Sequence, residues 1–178
     1  MVTRPSKKLA LLQAAARVVE RQGSAQLTLE AVASEAGLSK GGLLYHFPTK
    51  QALIEAMVEH LVEEFSQDVE ARRRGGAFLP AYIRATFDYH PQLSVASVLA
   101  AALSHDPPLL EPLQKGFEAW RQAALADPGP PQRADLIRLA VDGLWFTELF
   151  CLAPMTRKDR RQLEQELLAL CQERTDPQ

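Results

Sequence analysis

Ser39-Lys40-Gly41-Gly42-Leu43-Leu44-Tyr45-His46-Phe47-Pro48-Thr49-Lys50 gathers groups suited to meet something bulky and negative. Ser39 and Thr49 are hydroxyl helix caps, Lys40 and Lys50 carry ammonium groups, and Tyr45 and His46 add a phenol and an imidazole. Free N–H groups at helix starts bind phosphate. Lys40 can donate to guanine O6/N7 or to a phosphate, and its spacing leaves both open. Gly41-Gly42 costs the helix about 1 kcal/mol per glycine, yet leaves no side chain to hold the backbone off a groove. This is the chemistry of a short helix laid into DNA. His46 reads more readily as a packed, hydrogen-bonded residue than as a base reader, and Phe47 as core. Outside this stretch the chain has no phosphate loop, nucleophile elbow or paired His-Glu-His motif, so no catalytic residue is expected. His90, His105 and Asp106 match no standard metal spacing, so neither a metal nor a cofactor is expected.

The charge is distributed to suit that chemistry. Over 178 residues the net charge is −2, but residues 1–50 hold seven basic side chains against three acidic ones. The remaining residues carry 13 basic and 19 acidic, so a basic head precedes an acidic body. Arg4, Lys7 and Lys8 form a basic arm whose charge opposes the dipole of the helix it opens, which suits a DNA contact or a solvated tail. Two cysteines, Cys151 and Cys171, exclude a disulfide-rich scaffold and read as reduced, buried thiols. No apolar run approaches the length of a membrane span, and the expected location is the cytoplasm.

The elements that must position these groups read as helices throughout. Residues 3–22 place Leu9, Leu12, Ala16 and Val19 on one face and end at Gly23. Thr28 caps a second helix reaching Ala36, Gly37 suits a left-handed C-cap, and Ser39 caps the third. Leu27 with Val32, and Leu38 with Leu43, have the spacing of hydrophobic staples. Two short helices about a glycine turn make a helix-turn-helix. From Thr49 a long helix runs to about Arg74, and further helices follow over 78–89, 92–105, 107–126, 132–152 and 156–173. The expected fold is all-α: a helix-turn-helix DNA-binding domain over 1–50, with 50–60 packed on it, then a larger helical ligand-binding and dimerisation domain over 51–178.

The helix at 132–152 is apolar nearly all round from Leu139 onward, so each of its faces needs cover. Ala140, Gly143 and Thr147 form a small-residue strip that admits another helix closely, and Leu163, Leu167 and Leu170 form an apolar row in the last helix. Pairing these two helices with a second copy would make a four-helix dimer interface; a monomeric core is the alternative.

Residues 5–60 resemble the TetR family of bacterial transcriptional regulators. The resemblance rests on the first helix, Leu27-Thr28-Leu29-Glu30-Ala31-Val32-Ala33, Ala36-Gly37-Leu38-Ser39-Lys40-Gly41 and His46-Phe47-Pro48-Thr49-Lys50 leading into Leu53. It implies a homodimeric repressor at a palindromic double-stranded operator, associated with the nucleoid and released by a small, largely apolar effector. Ser39 to Phe47 would be the recognition helix, with Lys40 and Gly42 toward base edges and Thr28 and Lys50 on phosphates. Arg4, Ser39, Gly41, Tyr45 and His46 complete the expected contact set. Many members have tyrosine where this chain has Leu44, and Tyr45 can supply the hydroxyl instead. The resemblance also implies an effector pocket between the central helices. Its expected walls are Phe87, Leu99, Leu103, Phe117, Trp120, Leu144, Trp145, Phe146 and Phe150, with Asp142, Glu148 and His105 as polar groups. Effector binding would move the 49–74 helix and change the spacing of recognition helices that must lie about 34–36 Å apart. A different function also fits: a DNA-binding architectural or adaptor protein whose C-terminal domain binds a protein partner.

Overall fold

The computed structural model describes residues 6–90 and 93–172, and every regular element among them is helical. Residues 3–5, 92 and 173, which the periodicity assigns to helix ends, lie outside the described residues. The chain forms two compact units, residues 1–63 with 91–115 and residues 64–90 with 116–178. These units divide the chain elsewhere than at 50/51. The long fourth helix is unbroken across that point, and the sixth helix packs on the first.

In the first unit, α1 (Lys7–Gln22) is capped by the Ser6 hydroxyl, which accepts from Leu9 N–H at 3.2 Å, and buries Leu11, Leu12, Ala15, Val18 and Val19. Gly23 ends it at φ 86°. A 3-10 turn (Ser24–Gln26) leads to α2 (Leu29–Ala36), where Thr28 Oγ1 accepts from Ala31 N–H. Gly37 then turns left-handed at φ 66°. Leu38 N–H donates to Ala33 O and Gly37 N–H to Ser34 O, the paired bonds of a Schellman stop, which free the next segment to restart as α3 (Lys40–His46). The staple residues Leu27, Val32 and Leu43 are fully buried in one core with Phe47. That core also takes Leu53, Ile54, Met57 and Val58 from α4 (Lys50–Arg73) and Val98, Ala101 and Ala102 from α6 (Val95–His105). Arg17 and Arg21 on α1 reach Glu35 on α2, and the Arg17 hydrogen bond holds the Glu35 carboxyl below the usual carboxylate range.

The second unit is built on the later part of α4, α5 (Phe78–Phe87), the later part of α7 (Glu111–Leu125), α8 (Pro131–Leu149) and α9 (Arg157–Leu170). Phe65 lies at its centre, with ring centroids 5.5 Å from Tyr82, 5.2 Å from Tyr89 and 4.9 Å from Trp120. Edge-on geometry of this kind is favoured by the ring quadrupoles. Arg160 on α9 stacks 4.7 Å over Phe87 and pairs with Glu148 on α8.

Ala77 cannot cap α5, and the cap comes from far along the chain: both Asp127 carboxylate oxygens accept, from Phe78 N–H and Leu79 N–H, at 2.7 Å each. Asp127→Ala is therefore expected to lower the unfolding free energy by about 2 kcal/mol in a urea melt. An unchanged midpoint would mean that water replaces the carboxylate at no cost. Burial, with Asp127 nearby, pushes the adjacent Cys171 thiol up to about 11. Cys171 is half-buried, as a reduced thiol would be, whereas Cys151 is exposed. The expectation of a buried thiol fails there because the chain turns left-handed at Cys151 (φ 52°) just beyond the end of α8.

Candidate nucleic-acid interface

The amphipathic division of α3 creates the interface. Leu43 and Phe47 point into the core, while Lys40, Gly41, Leu44 and Tyr45 share the opposite, exposed side. Tyr45 is 86% exposed, an unusual setting for an aromatic ring with no core to cover it, and Leu44 is 37% exposed. His46 is half-buried, edge-on to Tyr45 at 5.2 Å, which places it between the two roles the sequence allows. Ser39 Oγ accepts from Gly42 N–H at 3.1 Å and Thr49 Oγ1 from Ala52 N–H at 3.0 Å, so both hydroxyls act as helix caps. A Cβ at Gly41 would meet nothing within 4 Å, so the protein's own packing does not require glycine there. At Gly42 it would press on the Ser39 hydroxyl at 3.3 Å. Thr28 is exposed at the start of α2 and Lys50 half-buried at the start of α4. Arg4 lies outside the described residues.

Lys40 is not free on this surface. Its ammonium lies 2.5 Å from Glu30 Oε1 on α2, and the Lys40 hydrogen bond lowers the pKa of the Glu30 carboxyl. Glu30 is a functional candidate that sequence alone does not mark. An acidic residue in the first turn of a helix already has a local explanation in the macrodipole, so nothing singled it out.

The residues expected around an effector divide into groups. Phe87, Phe117, Trp120, Leu144, Trp145 and Asp142 belong to the second unit, where Phe117 lies 5.1 Å from Trp120 and 6.3 Å from Trp145 between ring centroids. Leu99, Leu103 and His105 are on α6 in the first unit, with Leu103 and His105 exposed. Phe146 and Phe150 are more than half exposed, 4.8 Å apart, on the opposite side of α8 from buried Ile137, Val141 and Leu144. Glu148 faces outward to Arg160. Tyr82 and Phe65, which spacing alone does not mark, lie within the aromatic cluster. Tyr82 OH donates to Asp142 Oδ1 at 2.6 Å, Arg138 donates to Asp142 Oδ2 at 2.5 Å, and Trp120 Nε1–H donates to Ser66 Oγ at 3.0 Å. Burial pushes the Asp142 carboxyl above its ordinary value despite these donors. Burial and then the Asp142 charge push the Tyr82 phenol well above its own.

Along α8 and its C-cap residue, Leu136, Leu139, Ala140, Gly143, Phe146 and Phe150 form a continuous exposed stripe, with Thr147 half-buried at its margin. The helix is thus covered on one side and bare on the other. On α9 the expected row turns inward: Leu167 is 4% exposed and packed within its own subunit, and Leu163 and Leu170 are half-buried.

Residues 11–57 match a family described as bacterial regulatory proteins, tetR family, and residues 76–172 match one described as tetracyclin repressor-like, C-terminal domain. The chain is 25% identical over 158 residues to the HTH-type transcriptional regulator BetI 1 of Chromohalobacter salexigens, covering 80% of this chain and 78% of that one. It is 36% identical over 95 residues to the HTH-type transcriptional regulator RutR of Escherichia coli, covering 50% and 45% respectively. Its fold matches a TetR-family member from Streptomyces coelicolor A3 with a TM-score of 0.71 at 24% identity, covering 92% and 98% of the two chains. It also matches the multidrug binding protein EbrR complexed with malachite green, with a TM-score of 0.69 at 23% identity, covering 93% and 98%.

Proposed function

Since the chain belongs to the TetR family of bacterial regulatory proteins, and its relatives are DNA-binding transcriptional regulators, we propose that it is a homodimeric repressor released from its operator by a small organic effector. The observation that carries the DNA-facing half of this reading is the outward row on α3. Lys40, Gly41, Leu44 and Tyr45 share the exposed side of a helix whose other side carries buried Leu43, and in sequence that helix lies between the helix starts at Thr28 and Lys50. Lys40 supplies the donor for guanine, and Tyr45 the hydroxyl for phosphate. Leu44, where many members carry tyrosine, offers apolar atoms of the kind that contact a thymine methyl. Each copy contributes one such helix to a half-site, so the operator is a palindrome.

Pairing of two copies is supported by the bare α8 stripe, which is apolar and includes the small residues Ala140 and Gly143. The effector reading is supported by the cluster around Phe65, Tyr82 and Trp120 with its buried Asp142. A ligand seated there would be largely aromatic or apolar, and its effect would travel along α4, which is a single helix from Lys50 to Arg73.

The test begins with DNA selected from a random pool by the purified protein. Lys40→Ala and Tyr45→Ala are each expected to weaken binding to the selected site by about tenfold at fixed salt, the lower range of a base or phosphate contact. Light scattering should still show a dimer. Unchanged affinity in both variants would sink the assignment of α3. Effector binding is read from quenching of Trp120 and Trp145 fluorescence by an apolar and aromatic compound panel. A stable complex with a protein and no response to any compound would favour the adaptor function instead.

A further inference from the structure

We propose that Glu30 is a specificity-determining residue, whose carboxylate on α2 holds the Lys40 ammonium over base edges and away from the phosphates. The inference rests on reading α3 as the base-contacting helix. Glu30 stands two residues after the Thr28 cap, Lys40 is the first residue of α3, and their side chains meet at 2.5 Å across the turn. Both are about 60% exposed, so the pair adds little to the stability of the fold. Thr28 and Ser39 each cap one backbone N–H, of Ala31 and Gly42, at the starts of α2 and α3. With little stability at stake, the ion pair is better explained by what it does at a surface that meets DNA.

That explanation lies in what an unheld lysine does at DNA. A flexible four-carbon stem ending in a point charge swings to the nearest phosphate, a contact that carries no sequence information. A carboxylate touching the ammonium changes the balance. An ammonium has three donors, so Lys40 can keep Glu30 as one partner while donating to O6 or N7 of a guanine. Moving the same ammonium onto a phosphate either breaks the ion pair or draws the Glu30 carboxylate toward a second anion, within the Debye length of about 8 Å where screening is incomplete. The pair thus penalises the sequence-blind contact more than the base contact, which is how a repulsive element makes specificity. Arg17 and Arg21 are drawn toward Glu35 rather than toward α3, which leaves Lys40 as the basic side chain on the exposed face of that helix.

The experiment compares wild type, Glu30→Gln, Lys40→Ala and the double variant in DNA selection and in titrations against selected and scrambled duplexes over a salt series. Glu30→Gln should remain folded with a midpoint lowered only slightly, by the lost macrodipole interaction, bind scrambled DNA about five- to tenfold more tightly, and steepen its log–log salt slope by about 0.9, one added phosphate contact. Preference at one position of each half-site should relax, and the ratio of selected to scrambled affinity should fall about tenfold. In the Lys40→Ala background, Glu30→Gln should change neither the preference nor the ratio. A wild-type motif that persists unchanged in Glu30→Gln, with the same affinity ratio, overturns the proposal alone. So does an equal effect of Glu30→Gln with and without Lys40. Failure of the wild-type protein to enrich any motif would instead overturn the reading of α3 on which the proposal rests.

Discussion

Asp142→Ala is expected to cost the second unit about 3–5 kcal/mol of stability, the usual loss when one partner of a buried ion pair is removed. Arg138 and Asp142 are 12% and 14% exposed at the side chain, and Arg138 Nε already has no hydrogen-bond partner. Removing the carboxylate strands the guanidinium and leaves the buried Tyr82 hydroxyl without an acceptor. Asp135, 3.7 Å from Arg138 and also paired with Arg121, compensates only in part, which places the expected loss toward the lower end. Urea unfolding followed by tryptophan fluorescence measures it, because Trp120 lies 6.0 Å from Tyr82 between ring centroids. The double replacement Arg138→Met with Asp142→Leu should recover most of the loss, since both charges then leave the interior together. If the single variant costs under about 1 kcal/mol, water reaches the guanidinium and the pair is not a buried one.

The same carboxyl makes a pH prediction with a definite sign. Its pKa in the folded protein is raised by burial, so between the unfolded and folded values the native state holds the proton that the unfolded chain has lost. The contribution of Asp142 is therefore fully present below the unfolded value and is lost as pH rises through the folded one. Glu35 acts in the opposite direction: its lowered pKa gives a contribution that is present at neutral pH and disappears as pH falls through the folded value. Asp142→Asn should remove the first slope and leave the second.

Gly143→Glu is expected to raise the dimer dissociation constant at least 100-fold, and operator affinity should fall with it. A Cβ at Gly143 would meet nothing within 4 Å in its own subunit, so the substitution leaves the protomer's packing undisturbed. In the proposed dimer the same position lies in the α8 stripe between Leu139 and Phe146, where an unpaired carboxylate buried against a second copy costs several kcal/mol. Two half-site contacts then cease to be linked, and the gain from bivalency, about 10²–10⁴ in affinity, is forfeited. Sedimentation and light scattering report the dimer, and a melting curve checks that the protomer remains folded. A dimer of undiminished strength would move the interface off this face of α8.

Much of this protein is legible in local sequence. Ser6, Thr28, Ser39, Thr49 and Thr156 each precede a helix and each accepts a backbone N–H near its start, and Gly23 and Gly37 take the positive φ values that stop α1 and α2. Caps, stops and staples act within about five residues, so they are written in the order of the chain. The outward row of α3 follows from the same short-range periodicity. What the chain does not spell out is how residues distant in sequence divide their surfaces. An all-round apolar α8 reads as needing cover everywhere, but the fold covers the Ile137–Val141–Leu144 side and leaves Leu139, Gly143 and Phe146 bare. Leu167 has the spacing of an interface residue yet is buried in its own subunit. Asp127 caps a helix nearly fifty residues earlier, Asp142 meets Tyr82 sixty residues away, and Glu30 meets Lys40 across a turn. Local sequence determined where α2, α3 and α4 begin, where α1 and α2 stop, and which side of α3 faces outward. Partner choice among charged and aromatic side chains depends on distances set only when the helices pack, and that choice was left to the tertiary structure.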